Sequence, residues 1–134
     1  MGFTSIPDLV PDKGVLGGIY TALDMCTTRY VFVVGADMPF LTPSLISDIL
    51  VHRHTADAVI PNGPKGVEPL CAVYSTSCIS TIRQNLETGK LKIMEALGNL
   101  EVLSPEVTTG ENKQDPFMNI NYPEDLENLK KGSV

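Results

Sequence analysis

Along this chain, segments with the apolar spacing of helices take turns with short, continuously apolar segments that are typical of buried strands. In residues 15–28 they recur at helical spacing, with small residues in the first turn, which predicts a helix packed closely against a neighbour. Residues 30–35, YVFVVG, are continuously apolar and rich in β-branched side chains, which predicts a strand buried on both faces of a sheet. Thr42 followed by Pro43 then predicts the start of a second helix.

The same alternation continues through the rest of the sequence. Strands are predicted at residues 56–61, 70–74 and 100–103, and helices after residue 75 and at residues 91–97. Residues 62–66 contain two glycines, a proline and an asparagine, so we expect a mobile loop there. A chain of 134 residues with 43% apolar composition can build one core, and the alternation therefore predicts a single α/β domain over residues 1–134.

Net charge, cysteine spacing and hydropathy argue against several kinds of partner and site. The formal net charge of -6 leaves no basic surface for nucleic acid or a membrane, although a nucleoside triphosphate can still bind through a divalent cation. Cys26, Cys71 and Cys78 lack the spacing of a zinc site or a disulfide framework, so free thiols are expected. Because no apolar run approaches the roughly 20 residues of a membrane span, we expect a cytoplasmic protein.

Asp37 is the first candidate for chemistry. It lies in the segment GADMPF, just past the predicted strand at residues 30–35, and open α/β sheets bind their ligands at that end of a strand. Mg²⁺ commonly takes only one or two protein carboxylates together with substrate phosphates, so one aspartate suffices. The alternative is that Asp37 is a turn residue that bonds its own backbone ahead of Pro39.

Two asparagines near the end of the chain form a second candidate group. Asn119 and Asn121 lie in NINYPEDL, where a short extended piece at residues 117–121 would point both side chains to one side. Their amides can donate and accept hydrogen bonds, which suits a pterin or a metal-bound water. The alternatives are a helix cap for Asn121 and a turn role for Asn119.

Glycines that lead into the first helix form a third, weaker candidate. Residues 7–18, PDLVPDKGVLGG, resemble a loop that contacts a phosphate or a nucleotide, although paired glycines before a helix are more often a packing device. The Lys13 ammonium would favour an anion. Glu68, at the entrance of the strand at residues 70–74, is expected to be a solvated edge charge.

Five segments in order resemble the successive blocks of the molybdenum cofactor guanylyltransferase family, and together they extend over nearly the whole chain. The segments are PDLVPDKGVLGG, VFVVGADMPF, EPLCAVY, GKLKIMEAL and FMNINYPEDL. The resemblance implies a three-layer α/β/α, Rossmann-like nucleotidyltransferase fold with a mostly parallel sheet. It also implies an enzyme that joins GMP from GTP to molybdopterin, with Mg²⁺, and releases pyrophosphate.

The resemblance also implies roles for particular residues. Asp37 would hold the metal, Asp8, Gly14 and Gly18 would lie along the nucleotide site with Asp37, and Asn119 and Asn121 would lie on the pterin side. The metal would neutralise charge on the α-phosphate and orient the attacking molybdopterin phosphate, so no covalent protein nucleophile is required.

One departure from the family pattern limits these expectations. The N-terminal strand and glycine-rich loop of the type LAGGxSxRMGxxK have no counterpart here, which predicts a partial domain without its first β-α unit and weak or absent activity for the chain as written. An exposed sheet edge would then favour a homo-oligomer. The alternative functions are a related transferase using CTP or a sugar phosphate, and a catalytically dead module that binds a nucleotide or a pterin.

Overall fold

The computed structural model describes residues 14–35, 38–107 and 115–118. Within these ranges the helices are α1 (Gly14–Met25), α2 (Pro43–Leu50), α3 (Ile79–Glu87) and α4 (Ile93–Ala96). The strands are β1 (Tyr30–Val34), β2 (Ala58–Val59), β3 (Asn62–Gly63), β4 (Gly66–Val67), β5 (Cys71–Ser75) and β6 (Val102–Leu103). None of the helices in these ranges has the length and apolar character needed to cross a membrane.

The main sheet is mixed and has the strand order β1-β5-β2-β6. β5 runs antiparallel to both of its neighbours, whereas β2 and β6 are parallel. It follows that β1, β2 and β6 all run in one direction and that β5 alone is reversed. The predicted α/β fold, in which most strands run the same way, is confirmed, with the reversed strand inserted in the middle of the sheet.

Apolar side chains on the two faces of the sheet form two separate clusters, which makes the domain three-layered. On one face, α1, α3 and α4 pack against the sheet through buried residues that include Leu16, Ile19 and Ile82. On the other face, α2 contributes Leu45 and Ile49. Because successive side chains of a strand point to opposite faces, β1, β2 and β5 each supply residues to both clusters.

β1 is less buried than its composition predicts. All five of its residues remain partly exposed, whereas all five residues of the neighbouring β5 are buried. The Gly35 N–H donates to the Leu70 carbonyl. In an antiparallel pair only every second residue bonds to the partner strand, so the main-chain groups of Phe32 and Val34 point away from β5. Among the described residues no strand pairs with that edge, and the homo-oligomer stays a prediction.

The turn-rich stretch after β2, predicted as a mobile loop, forms a β-hairpin, and its mobility stays a prediction. β3 pairs with β4 in antiparallel register, with Gly63 opposite Gly66 across the turn at Pro64 and Lys65. Gly66 has a φ of 112°, a conformation that only glycine adopts readily. The turn signal was therefore correct, but the short strands on either side of it were too brief to show a periodic pattern.

The N-cap of α2 gives the first stability prediction. The Thr42 hydroxyl accepts a hydrogen bond from the Leu45 N–H at 3.2 Å, and Pro43 occupies the first turn. Thr42→Ala leaves that N–H without its partner and is expected to lower the free energy of unfolding by about 1 kcal/mol. Urea unfolding measures the change, with Ser44→Ala, an exposed residue two positions after Thr42, as the matched control. Equal stabilities for the two variants would contradict the capping role.

Candidate functional site

The carboxyl ends of the three co-directional strands meet at one edge of the sheet. β1 ends at Val34, and the Gly35 N–H that follows it donates to the Leu70 carbonyl at 2.8 Å, just before β5 begins. β2 leads directly into Pro61 and the β3–β4 hairpin at the same edge. Open α/β sheets bind their ligands outside the carboxyl ends of their strands, so this edge is the place to look for a site.

The N-terminus of α1 lies at that same edge. A connection of only four residues, 26–29, joins the end of α1 to the start of β1. Because α1 packs on the sheet through Leu16 and Ile19, it runs back along β1 and its first turn reaches the carboxyl edge. Helix N-termini present unpaired N–H groups, which suit an anionic ligand when other groups complete the site.

Gly14 and Gly18, two of the predicted nucleotide-site residues, are both in α1. Gly14 begins the helix with a φ of 61°, and Gly18 lies in the second turn. A Cβ atom added at either glycine would meet nothing within 4 Å among the described residues. The space beside Gly14 and Gly18 is therefore open, while Gly17 is buried in α1 as the packing explanation expects.

The β3–β4 hairpin is tied to two later segments of the chain. The Asn62 N–H donates to the Pro105 carbonyl at 2.9 Å, and the Val107 N–H donates back to the Asn62 carbonyl at 2.9 Å. On the other side, the Glu68 N–H donates to the Pro61 carbonyl at 2.9 Å. These main-chain bonds fix the hairpin above the carboxyl edge of the sheet.

The turn at residues 115–118 packs directly on this hairpin. Phe117 is 2% exposed, and a Cβ atom added at Gly63 would lie 2.5 Å from its Cδ2 atom, so only glycine leaves room for the ring. Phe117 shares a cluster with Met38 and Cys71, which connects the turn to the segment after β1. Pro116 and Phe117 form a turn, so the extended piece predicted to begin at Phe117 does not begin there.

Two carboxylates that sequence reasoning did not assign to the site come together here. Burial raises the pKa of Glu68 most, and the nearby charge of Asp115 raises it further, whereas Lys65 lowers it. Asp115 Oδ1 accepts a hydrogen bond from the Phe117 N–H at 2.9 Å, and Asp115 Oδ2 is buried without a hydrogen-bond partner. The expectation that Glu68 is a solvated edge charge is wrong, because the hairpin and the 115–118 turn half-bury it.

The sequence contained one local signal for Asp115 and none for Glu68. An aspartate two residues before a bonded N–H is typical of a turn in which the side chain accepts from the backbone. The environment of Glu68 depends on a turn 47 residues later in the chain, since Asp115 is the group that perturbs it. Such a contact has no counterpart in local periodicity.

The other predicted site residues lie outside the described ranges. They are Asp8, Asp37, Asn119 and Asn121. The described residues on either side of Asp37 are held in place, Gly35 by its bond to the Leu70 carbonyl and Met38 by burial at 7% exposure. Met118, which precedes the asparagine segment, is partly exposed at 39%.

A polar depression of about 460 Å³ opens at the opposite edge of the sheet, where the three co-directional strands begin. Its polar groups already serve the fold: Asp57 accepts hydrogen bonds from the Ser77 hydroxyl at 2.8 Å and the Glu101 N–H at 2.9 Å, and Tyr30 bonds His54 at 2.8 Å. Gly14 and Gly18, the two predicted site residues within the described ranges, do not line it. We therefore assign the candidate site to the carboxyl edge.

Comparison with protein families gives a match to the MobA-like NTP transferase domain over residues 1–102. The curated relatives include a probable molybdenum cofactor guanylyltransferase of Flavobacterium johnsoniae, 33% identical over 95% of this chain and 66% of its own length. A protein of the same name in Pelotomaculum thermopropionicum is 31% identical over 100% of this chain and 70% of its own length. Five further curated relatives are matched over 60% to 63% of their own length, so the chain spans less than two thirds of each of them.

A solved structure agrees with the fold. The molybdopterin-guanine dinucleotide biosynthesis protein A of Archaeoglobus fulgidus superimposes with a TM-score of 0.72 and is 27% identical, with 88% of this chain and 62% of that protein covered. The three-layer arrangement described above is therefore the arrangement of a nucleotidyltransferase.

Proposed function

Since the chain belongs to the MobA-like NTP transferase family, we propose that this protein transfers GMP from GTP to molybdopterin and releases pyrophosphate. The observation that carries the proposal is the similarity to curated guanylyltransferases along almost the entire chain, at 33% and 31% identity. The fold supports it, because the strand ends, the first turn of α1 and the β3–β4 hairpin converge on one edge. A nucleotide and an acceptor can meet there.

Roles for individual residues are part of the proposal. Asp8, Gly14 and Gly18 lie along the nucleotide, and Asn119 and Asn121 contact the pterin side. The open space beside Gly14 and Gly18 supports the nucleotide assignment, because a ribose or phosphate can approach the backbone of α1 where no protein side chain competes for the position.

We assign the divalent cation, Mg²⁺, to Asp37. One carboxylate is enough for this cation, because Mg²⁺ commonly takes only one or two protein carboxylates together with substrate phosphates. When bound, Mg²⁺ supplies neutralisation of phosphate charge. The described residues on either side of Asp37 support this assignment, because the Gly35 N–H is bonded to the Leu70 carbonyl after the end of β1 and Met38 is buried.

The proposed reaction uses no protein nucleophile, and Cys71 and Cys78 are poorly suited to that role. Burial raises the pKa of Cys71 to about 12 and that of Cys78 to about 11, so both remain neutral thiols at physiological pH. The acceptor phosphate is then the attacking group, and the chain contributes binding and orientation.

Calorimetric titration with GTP and then CTP, each with Mg²⁺, tests the proposal. Selective GTP binding is expected, followed by pyrophosphate release when molybdopterin is added. Preference for CTP would replace the guanylyltransferase by a related cytidylyltransferase. Binding without any pyrophosphate release would instead favour the alternative of a catalytically inactive nucleotide-binding module.

A further inference from the structure

Asp115 presents a buried carboxylate oxygen that the described protein leaves unbonded. Its Oδ1 atom accepts from the Phe117 N–H at 2.9 Å, whereas its Oδ2 atom is buried and has no hydrogen-bond partner. A buried charged oxygen without a donor is unfavourable and uncommon in folded proteins. Asp115 therefore requires a donor that the other hydrogen bonds of the turn do not supply.

Glu68 is the candidate for that donor, because the charge of Asp115 acts on its carboxyl group. Its Cγ atom lies 3.8 Å from the position of a Cβ atom at Gly63, and the Phe117 ring lies 2.5 Å from the same position. The Glu68 side chain and the 115–118 turn therefore pack against the same face of the hairpin. An ionised Glu68 beside an ionised Asp115 would add repulsion to the cost of burial.

We propose that Glu68 and Asp115 share one proton, with the Glu68 carboxyl group donating to Asp115 Oδ2, and that this bond positions the 115–118 turn for the acceptor side of the site. The proton is taken up from solvent, and no covalent bond between heavy atoms changes. The positioning role rests on the proposed function, since Asn119 and Asn121 follow this turn directly. The proton-sharing pair itself does not depend on that function.

The surrounding groups determine how the pair responds to pH. Burial and Asp115 raise the pKa of Glu68, Lys65 in the hairpin turn lowers it, and the Cys71 thiol beneath stays neutral. Because the pKa of Glu68 is raised in the folded chain, the stabilising proton is fully bound below the ordinary glutamate value. It is lost as the pH rises through the raised value. The turn is then expected to loosen.

The test compares the wild-type chain with Glu68→Gln between about pH 5 and about pH 9. The glutamine amide donates to Asp115 Oδ2 at every pH, so the variant should keep a constant Tm where the wild type loses about 3 to 5 °C. Carbon NMR titration of the carboxyl groups should place Glu68 above ordinary glutamates. Glu106→Gln, an exposed residue at the same edge, is the matched control and should retain the wild-type loss.

Other outcomes would overturn the pair. If Glu68 titrates like an ordinary glutamate, or if Glu68→Gln and the wild type lose Tm equally, the two carboxyl groups do not share a proton. If Mg²⁺ alone raises the Tm of the wild type and not that of Glu68→Gln, a cation between the two carboxylates would explain the pair, and the shared proton would be wrong. Both readouts need no enzymatic activity, so they remain decisive if the proposed transfer reaction fails.

The positioning role has its own readout in an active protein. The KM for molybdopterin should rise with pH in the wild type and stay constant in Glu68→Gln, while the KM for GTP should be the same in both. A parallel change in both KM values would overturn the assignment to the acceptor side, because general loosening of the fold affects both substrates.

Discussion

The Asp37→Ala variant is expected to lose Mg²⁺-dependent GTP binding and to lower the rate of transfer about a hundredfold to a thousandfold, with the fold retained. The physical reason is the loss of the carboxylate that we assign to the cation, which leaves phosphate charge uncompensated during transfer. The fold should survive because the described neighbours are held independently, Gly35 by the Leu70 carbonyl and Met38 by burial. Calorimetry and pyrophosphate release measure the loss, and circular dichroism checks the fold.

Two variants sharpen this experiment. Asp37→Asn keeps the size of the side chain and removes its charge, so it should behave like the alanine variant if the charge is what matters. Asp48→Ala removes an exposed aspartate from α2 and should leave binding unchanged. Normal GTP affinity in both Asp37 variants would remove this residue from the metal site and return it to the alternative, a turn residue ahead of Pro39.

Much of the layered fold could be predicted from the sequence because the relevant signals are local. The apolar block at residues 30–35 contains β1, and the Thr42–Pro43 pair gives the start of α2, including the predicted cap. Strand direction is different. The composition of β5 resembles that of β1, yet β5 runs the opposite way, since apolar content reports burial and not direction.

The candidate site residues were predicted from the segments that resemble the guanylyltransferase family. The match over residues 1–102 confirms the resemblance and covers the positions of Asp8, Gly14, Gly18 and Asp37. The final block around Asn119 lies beyond that match, although the curated relatives extend over 95% and 100% of the chain. The roles of these residues stay predictions until they are tested by substitution.

The pair formed by Glu68 and Asp115 shows where sequence reasoning fails for a physical reason. A glutamate before a strand is usually solvated, and nothing near Glu68 in the sequence indicates burial. Its half-buried state arises because Gly63 admits the Phe117 ring and thereby brings the 115–118 turn onto the hairpin. A tertiary contact of this kind changes the chemistry of a residue without any local sequence signal.

Phe117→Ala is expected to destabilise the chain far more than the loss of the Thr42 cap, by about 3–5 kcal/mol of unfolding free energy. Phe117 is 2% exposed and packs with Met38 and Cys71, so its removal leaves a cavity between the hairpin and the sheet. A loss of this size is a large share of the roughly 5–15 kcal/mol that stabilises a typical domain. Urea unfolding measures it, with Phe117→Leu as a milder control that retains most of the apolar volume.

A double-mutant cycle with Gly63 tests whether the Phe117 contact itself is responsible. Gly63→Ala alone should cost about 1–3 kcal/mol, because its new methyl group would lie 2.5 Å from the Phe117 ring. In the Phe117→Ala background the same methyl group enters the vacated space and should cost little or even stabilise the chain. Additive losses in the double variant would contradict the contact, since residues that do not touch show little coupling. Strong coupling would establish that the 115–118 turn packs on the hairpin, the arrangement on which the proposed acceptor side of the site rests.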